Sequence, residues 1–231
     1  MARTLRAILG LDVDPAPFAR VAAAQPALRA TARMLGGMRP PRFPDLFEAF
    51  ANVLPFQQLS LDAGVAIVGR LVDRFGQSLV HDGRRHWAFP RAETIADAQD
   101  AALRDCGLST RKADALKRLA RAIASDELDA ARIDAMSTSE ALLVLRELPG
   151  IGPWSAALVL LRGFGRLDVF PPGDVGATHG LARLLHVAPG PALERVIERF
   201  GSVRGYLYFC SLGASLVEKG LVHGVREAGG R

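Results

Sequence analysis

Chemistry is concentrated in the segment Leu148-Pro149-Gly150-Ile151-Gly152-Pro153-Trp154-Ser155-Ala156. Two glycines flank one apolar residue, and they are followed by a proline that fits the first turn of a helix. Gly150 and Gly152 can adopt positive φ and can bring the backbone close to a ligand with no Cβ in the way. The free amides that open the next helix then face whatever lies there, and an anion is favoured. Such a hairpin suits a phosphate backbone and needs no side-chain charge. An ordinary turn between two helices is the alternative reading. Further along, Asp168-Val-Phe-Pro-Pro-Gly-Asp174 sets an aspartate 22 residues after Gly152, just before a helical pattern running to His186. The helix dipole favours the ionised form of a carboxylate at that place. Taken alone, Asp174 reads as an N-cap.

The elements that must position these residues are helical. Apolar residues recur at helical spacing along most of the 231 residues, and alternating strand patterns are scarce. Helices are expected over 15–24, 26–35, 44–54, 57–75, 94–105, 110–124, 138–147, 154–164, 175–186, 191–200 and 202–217. Ser137 and Glu140 have the spacing of a capping box, which marks a helix start. The loops are Gly36 to Pro44 and Phe170 to Asp174, both rich in proline and glycine. A composition 49% hydrophobic and 23% charged excludes a disordered chain, a collagen-like repeat and a disulfide scaffold. No apolar run approaches the roughly 20 residues of a membrane span, and no secretory leader is visible, so the expected location is the cytoplasm. The net charge of +5 permits nucleic acid without demanding it, and its local peak, Arg111–Ala122, carries five positive groups and one negative. Only three of the 29 cationic residues are lysines: Lys112, Lys117 and Lys219.

On these residues the chain resembles the helix-hairpin-helix (HhH-GPD) superfamily of DNA glycosylases, whose hairpin reads LPGhG with h apolar. The resemblance covers roughly 43–215 and lies closest to the alkylpurine, or 3-methyladenine, branch. It implies an all-α, two-lobed fold with a DNA cleft between the lobes and no large N-terminal β domain. One lobe would comprise 1–55 and 151–231, and the other 56–150, with the helix-hairpin-helix spanning 138–164. Asp174 matches the family's essential aspartate. Leu54-Pro-Phe-Gln57-Gln58-Leu-Ser60 matches its glutamine segment, in which Gln57 would line the base pocket and Gln58 would enter the duplex gap. Trp154, with Phe56, Tyr206 and Phe170, would stack on the flipped base. Gly150, Ile151, Gly152, Ser155 and Lys112 would contact DNA, with Arg111 and Lys117 as further backbone candidates. Leu158 and Leu212 stand where the branch often carries aromatics, and Gly173 where it carries a second acid.

Bifunctional members use a lysine two positions after the second hairpin glycine, and this chain has Trp154 there, which cannot form a Schiff base. Four C-terminal cysteines would be needed for an iron–sulfur cluster, and Cys106 and Cys210 are the only cysteines. The resemblance therefore implies a monofunctional hydrolase that attacks with water and has no resident cofactor, with room for a monovalent cation at the hairpin. An alkylated purine is already positively charged, so it leaves without an acid and one carboxylate suffices. The partner would be damaged double-stranded DNA, met by a bacterial, nucleoid-associated monomer. The competing readings are a glycosylase for another lesion (oxidised guanine, mismatched adenine, ethenoadenine) and a non-catalytic DNA-binding hairpin. The pairs His81/His86 and His179/His186 lack a third ligand at useful spacing and read as solvated or capping residues, not a metal site. Trp87 reads as core or edge packing.

Overall fold

The structure, a computed structural model, describes residues 2–35 and 37–222. Gly36, which opens the first loop, and the end of the chain expected in the outer lobe lie outside the described residues. Contacts divide the chain into two units, Phe43–Val159 and Met1–Arg42 with Leu160–Arg231. The sequence-based lines at 55/56 and 150/151 differ from these because the helix before residue 55 and the one after 150 both pack inside the central unit.

In that central unit, Asp45 caps α4 (Leu46–Val53) by accepting the Glu48 N–H at 2.7 Å. Phe50, Val53 and Leu54 are fully buried. A 3-10 turn, Leu54–Phe56, leads to α5 (Leu61–Phe75), capped by Ser60. Gly64 of α5 lies under the Phe56 ring, where a Cβ would come within 2.3 Å of Cδ1. A β-hairpin then pairs β1 (Ser78–His81) with β2 (Arg84–Trp87) in the register Ser78↔Trp87, Leu79↔His86, Val80↔Arg85 and His81↔Arg84. Its turn, Asp82-Gly83, has positive φ at both residues, the requirement of a type I′ hairpin turn. Both strands are exposed, so Trp87 lies outside the core, on an edge strand of this two-stranded sheet. It sits 42% exposed, with the Arg85 guanidinium 5.8 Å from its ring.

After the hairpin come α6 (Ala92–Ala96), α7 (Asp100–Asp105), α8 (Thr110–Ala124), α9 (Ala130–Asp134) and α10 (Thr138–Arg146). The span expected as one helix over 94–105 is two, broken at Asp97, and α8 has the expected bounds. The capping box at Ser137 and Glu140 is formed in both directions, and its hydrogen bonds hold the Glu140 carboxyl below the usual range. The unit ends with α11 (Pro153–Val159), which packs on α4 and α10.

The other unit joins the two ends of the chain. The N-terminal helices α1 (Ala2–Ile8), α2 (Ala16–Ala23) and α3 (Pro26–Met34) precede the loop. A π-helical turn, Leu160–Phe164, α12 (Val175–Leu185), α13 (Pro191–Arg199) and α14 (Gly205–Glu218) follow from the C-terminal half. Phe18, Ala22 and Leu28 share a core with Leu181, Leu185, Leu193, Phe200, Tyr206 and Leu207. The first 40 residues thus supply one wall of the core that carries Asp174. Gly180 lets α12 approach α14, for a Cβ there would meet Ser211 Oγ at 2.2 Å. The Ser211 hydroxyl donates to the Ala177 carbonyl at 3.0 Å.

Two stability tests follow from this packing. Gly180→Ala should destabilise by about 1–3 kcal/mol through overpacking, and the cost should shrink in a Ser211→Ala background, a coupling read by urea unfolding of both singles and the double. Burial, with Asp45 adding to it, raises the Glu48 carboxyl from 4.5 to about 7. A raised carboxyl binds its proton more tightly in the folded state, so its contribution is full below 4.5 and is lost as pH rises through about 7. Glu48→Gln should remove that loss, measured as a smaller fall in unfolding free energy between pH 5 and pH 8.

Candidate functional site

Within the central unit, the hairpin is built by a glycine that must be a glycine. Gly150 has φ +76°, and a Cβ would stand 2.8 Å from the Ala115 methyl of α8. Gly152 is different. Its φ is not in the left-handed region, and a Cβ would meet nothing within 4 Å. Nothing inside the chain thus demands a missing side chain there, and the open backbone is available to an outside group. The expectation that both glycines could take positive φ holds for Gly150 alone. Ile151, 4% exposed, anchors the turn in the core. Ser155 is buried in α11, and Trp154, the second residue of that helix, is half-buried.

The glutamine segment is tied directly to this hairpin. The Gln57 amide donates to the Gly150 carbonyl at 2.8 Å and to Ser155 Oγ at 2.9 Å. Gln57 is therefore a strut between two segments some 93 residues apart. Gln58 follows with φ +58°, a conformation uncommon outside glycine, and is exposed together with Leu59. Lys112 stands behind them. Its ammonium donates to the Gln57 carbonyl at 2.6 Å and to the Pro55 carbonyl at 3.2 Å, and burial pulls its pKa down. Where the sequence-based expectation has Lys112 contacting DNA, the structure directs two of its hydrogen bonds into the loop that carries Gln57. Lys117 is likewise engaged, with Asp100. Phe56 lies over Gly64 of α5.

In the outer unit, Asp174 is the N-cap of α12, with Oδ1 accepting the Ala177 N–H at 2.8 Å. The preceding loop is fastened to the start of α14. Arg204 Nε donates to the Asp168 carbonyl, and Gly205 N–H donates to the Leu167 carbonyl at 2.7 Å. Tyr206 does not offer a face to a base. It is 2% exposed, stacked on Phe18 with ring centroids 4.6 Å apart, because its position on α14 turns it into the core. Phe170 packs partly buried against the same core. Tyr208, two residues on, lies within electrostatic reach of Asp174: burial first, then the Asp174 charge, pushes its phenol up to about 12. The sequence held a usable signal for this, since residues two apart on a helix face different ways.

Among the described residues no group of three or more His, Cys, Asp or Glu gathers as metal ligands, and no helix is long and apolar enough to cross a membrane. Cys106 and Cys210 are free and buried, one in each unit.

A family model described as HhH-GPD superfamily base excision DNA repair protein matches residues 53–203. A DNA-3-methyladenine glycosylase of Bacillus subtilis is 34% identical over 188 residues, which is 81% of this chain and 62% of that protein. The chain spans between about a third and just under two thirds of the length of this and two further curated relatives. Among solved structures, the 3-methyladenine DNA glycosylase of Archaeoglobus fulgidus matches with a TM-score of 0.78 at 28% identity, over 93% of this chain and 74% of that one. The 8-oxoguanine glycosylase/lyase of Clostridium acetobutylicum with double-stranded DNA shares the fold at 21% identity, TM-score 0.78, over 94% and 74% of the two chains.

The role of Lys112 can be tested directly. Lys112→Met should leave two loop carbonyls without their charged donor, at a cost of about 1–3 kcal/mol, and should speed amide hydrogen exchange at Gln57–Leu59. Unchanged exchange there would show that Lys112 does not hold the loop.

Proposed function

Since the chain belongs to the HhH-GPD superfamily of base excision DNA repair proteins, we propose that it is a monofunctional DNA glycosylase. It hydrolyses the N-glycosidic bond of alkylated purines, of the 3-methyladenine and 7-methylguanine type, in damaged duplex DNA. The observation that carries this reading is Asp174, a carboxylate fixed by the Ala177 N–H at the positive end of α12. An oxocarbenium-like sugar forms as the base departs, and a preorganised carboxylate stabilises that charge and orients the attacking water. A cationic alkylpurine needs no proton to leave, so no second carboxylate is required. Names of relatives agree: the Bacillus subtilis and Archaeoglobus fulgidus proteins are both called 3-methyladenine glycosylases.

The remaining residues take roles consistent with their surroundings. The open backbone at Gly152, with the amides that begin α11, receives a phosphate of the DNA strand. Gln58, exposed at the tip of the loop that Lys112 and Gln57 hold, enters the space the extruded base vacates. Extrusion costs a few kcal/mol and costs least for a damaged base. Trp154 gives a cationic base an aromatic partner worth about 0.5–2 kcal/mol over its neutral parent. It also occupies the position where lyase members carry the Schiff-base lysine, so the abasic sugar is left uncleaved. The Leu158 side chain, 6% exposed, contributes packing and not stacking.

Asp174→Asn is the direct test. Asparagine keeps the N-cap, so folding and duplex binding should persist while release of 7-methylguanine from a duplex falls by about 100-fold or more. Abasic sites are read by alkaline cleavage. Unaltered release by the variant would overturn the assignment of Asp174, and no release by the unmutated protein from any alkylated duplex would overturn the function.

A further inference from the structure

We propose that Tyr208, itself held by Arg162, is a positioning residue that fixes the Asp174 carboxylate and its water. The inference rests on the glycosylase reading above and adds a residue to its machinery. α12 and α14 run side by side in the same direction. Ser211 meets Ala177, 34 residues apart, and Arg183 meets Glu218 at 3.5 Å, 35 residues apart. Continued one turn toward the two N-termini, that offset sets Tyr208 against Asp174, again 34 residues apart. The loop before Asp174 is tied to the same end of α14, through Arg204 and Gly205.

Arg162 comes from the π-helical turn Leu160–Phe164, a distortion often found at functional sites. Its Nε donates to the Pro41 carbonyl at 3.2 Å, and its guanidinium lies 5.7 Å from the Phe209 ring centroid. It also hydrogen bonds the Tyr208 phenol, where the guanidinium can only donate and the phenol oxygen accepts. The phenol stays protonated at working pH, so its single O–H is directed elsewhere. Asp174 is the anion whose charge acts on the phenol, on the side where the register of the two helices sets it. Donation to the carboxylate, or to a water seated on it, fixes the orientation that Ala177 N–H fixes at Oδ1. A carboxylate held from two sides does not need to reorganise as charge develops on the sugar.

Tyr208→Phe keeps the ring and its packing and removes the hydroxyl alone. With a duplex containing one 7-methylguanine, the single-turnover rate of base release should fall about tenfold, with Kd for the duplex and Tm within error of the unmutated protein. Arg162→Lys, which loses the forked donor, should give a similar fall, and the double variant should be no slower than the worse single. A rate within twofold of the unmutated protein, or a fall in affinity or Tm without a fall in rate, would overturn the proposal. If the unmutated protein released no alkylated base, the glycosylase reading itself would fail, so the two failures are distinct.

Discussion

The approach of α12 to α14 through Gly180 is the constraint on which the outer unit depends. A helix-interior glycine costs about 1 kcal/mol against alanine, and here it is retained because a Cβ would strike Ser211 at 2.2 Å. The close approach lets Ser211 bond Ala177, the residue whose own N–H holds the Asp174 carboxylate. One short span of backbone thus links the packing of two helices to the orientation of the Asp174 carboxylate. The N-terminal helices matter for the same reason, since Phe18 stacks on Tyr206 and seats α14.

An equivalent economy operates in the central unit, where no side-chain charge faces outward from the hairpin. Gly150 lets the turn settle on Ala115, Gln57 ties its carbonyl to the glutamine loop, and Lys112 bonds that loop from behind. A lysine whose pKa is lowered by burial is a costly group to place unless its donors are satisfied, and here two carbonyls satisfy it. Gln58 can then be held in a left-handed conformation that an isolated loop would leave. Strain of this kind persists where the surroundings over-determine it.

Much of this was legible in the chain of letters, and the failures have identifiable causes. The span of α8 and the capping box before α10 follow from local signals, Ser109 and Ser137 as N-caps and apolar periodicity. The β-hairpin is not legible in the sequence although Asp82-Gly83 is a strong turn signal, because its strands are exposed on both sides and carry no alternating apolar pattern. The short helices α1 and α9 leave no clear pattern in the sequence because a five- to seven-residue stretch has too few periods to register.

The sequence by itself determined the family, the helical class, the hairpin and the N-cap at Asp174, because each rests on residue types at short spacing and on backbone preferences that act locally. Tertiary structure alone decided which tyrosine of α14 enters the core and where Lys112 directs its charge. Tyr206 and Tyr208 are two residues apart and chemically identical, yet one enters the core and the other meets Arg162. Lys112 reads as a surface cation until Pro55 and Gln57, more than 50 residues away, arrive with their carbonyls. Burial and long-range partners are properties of the packed chain, and no local pattern encodes them.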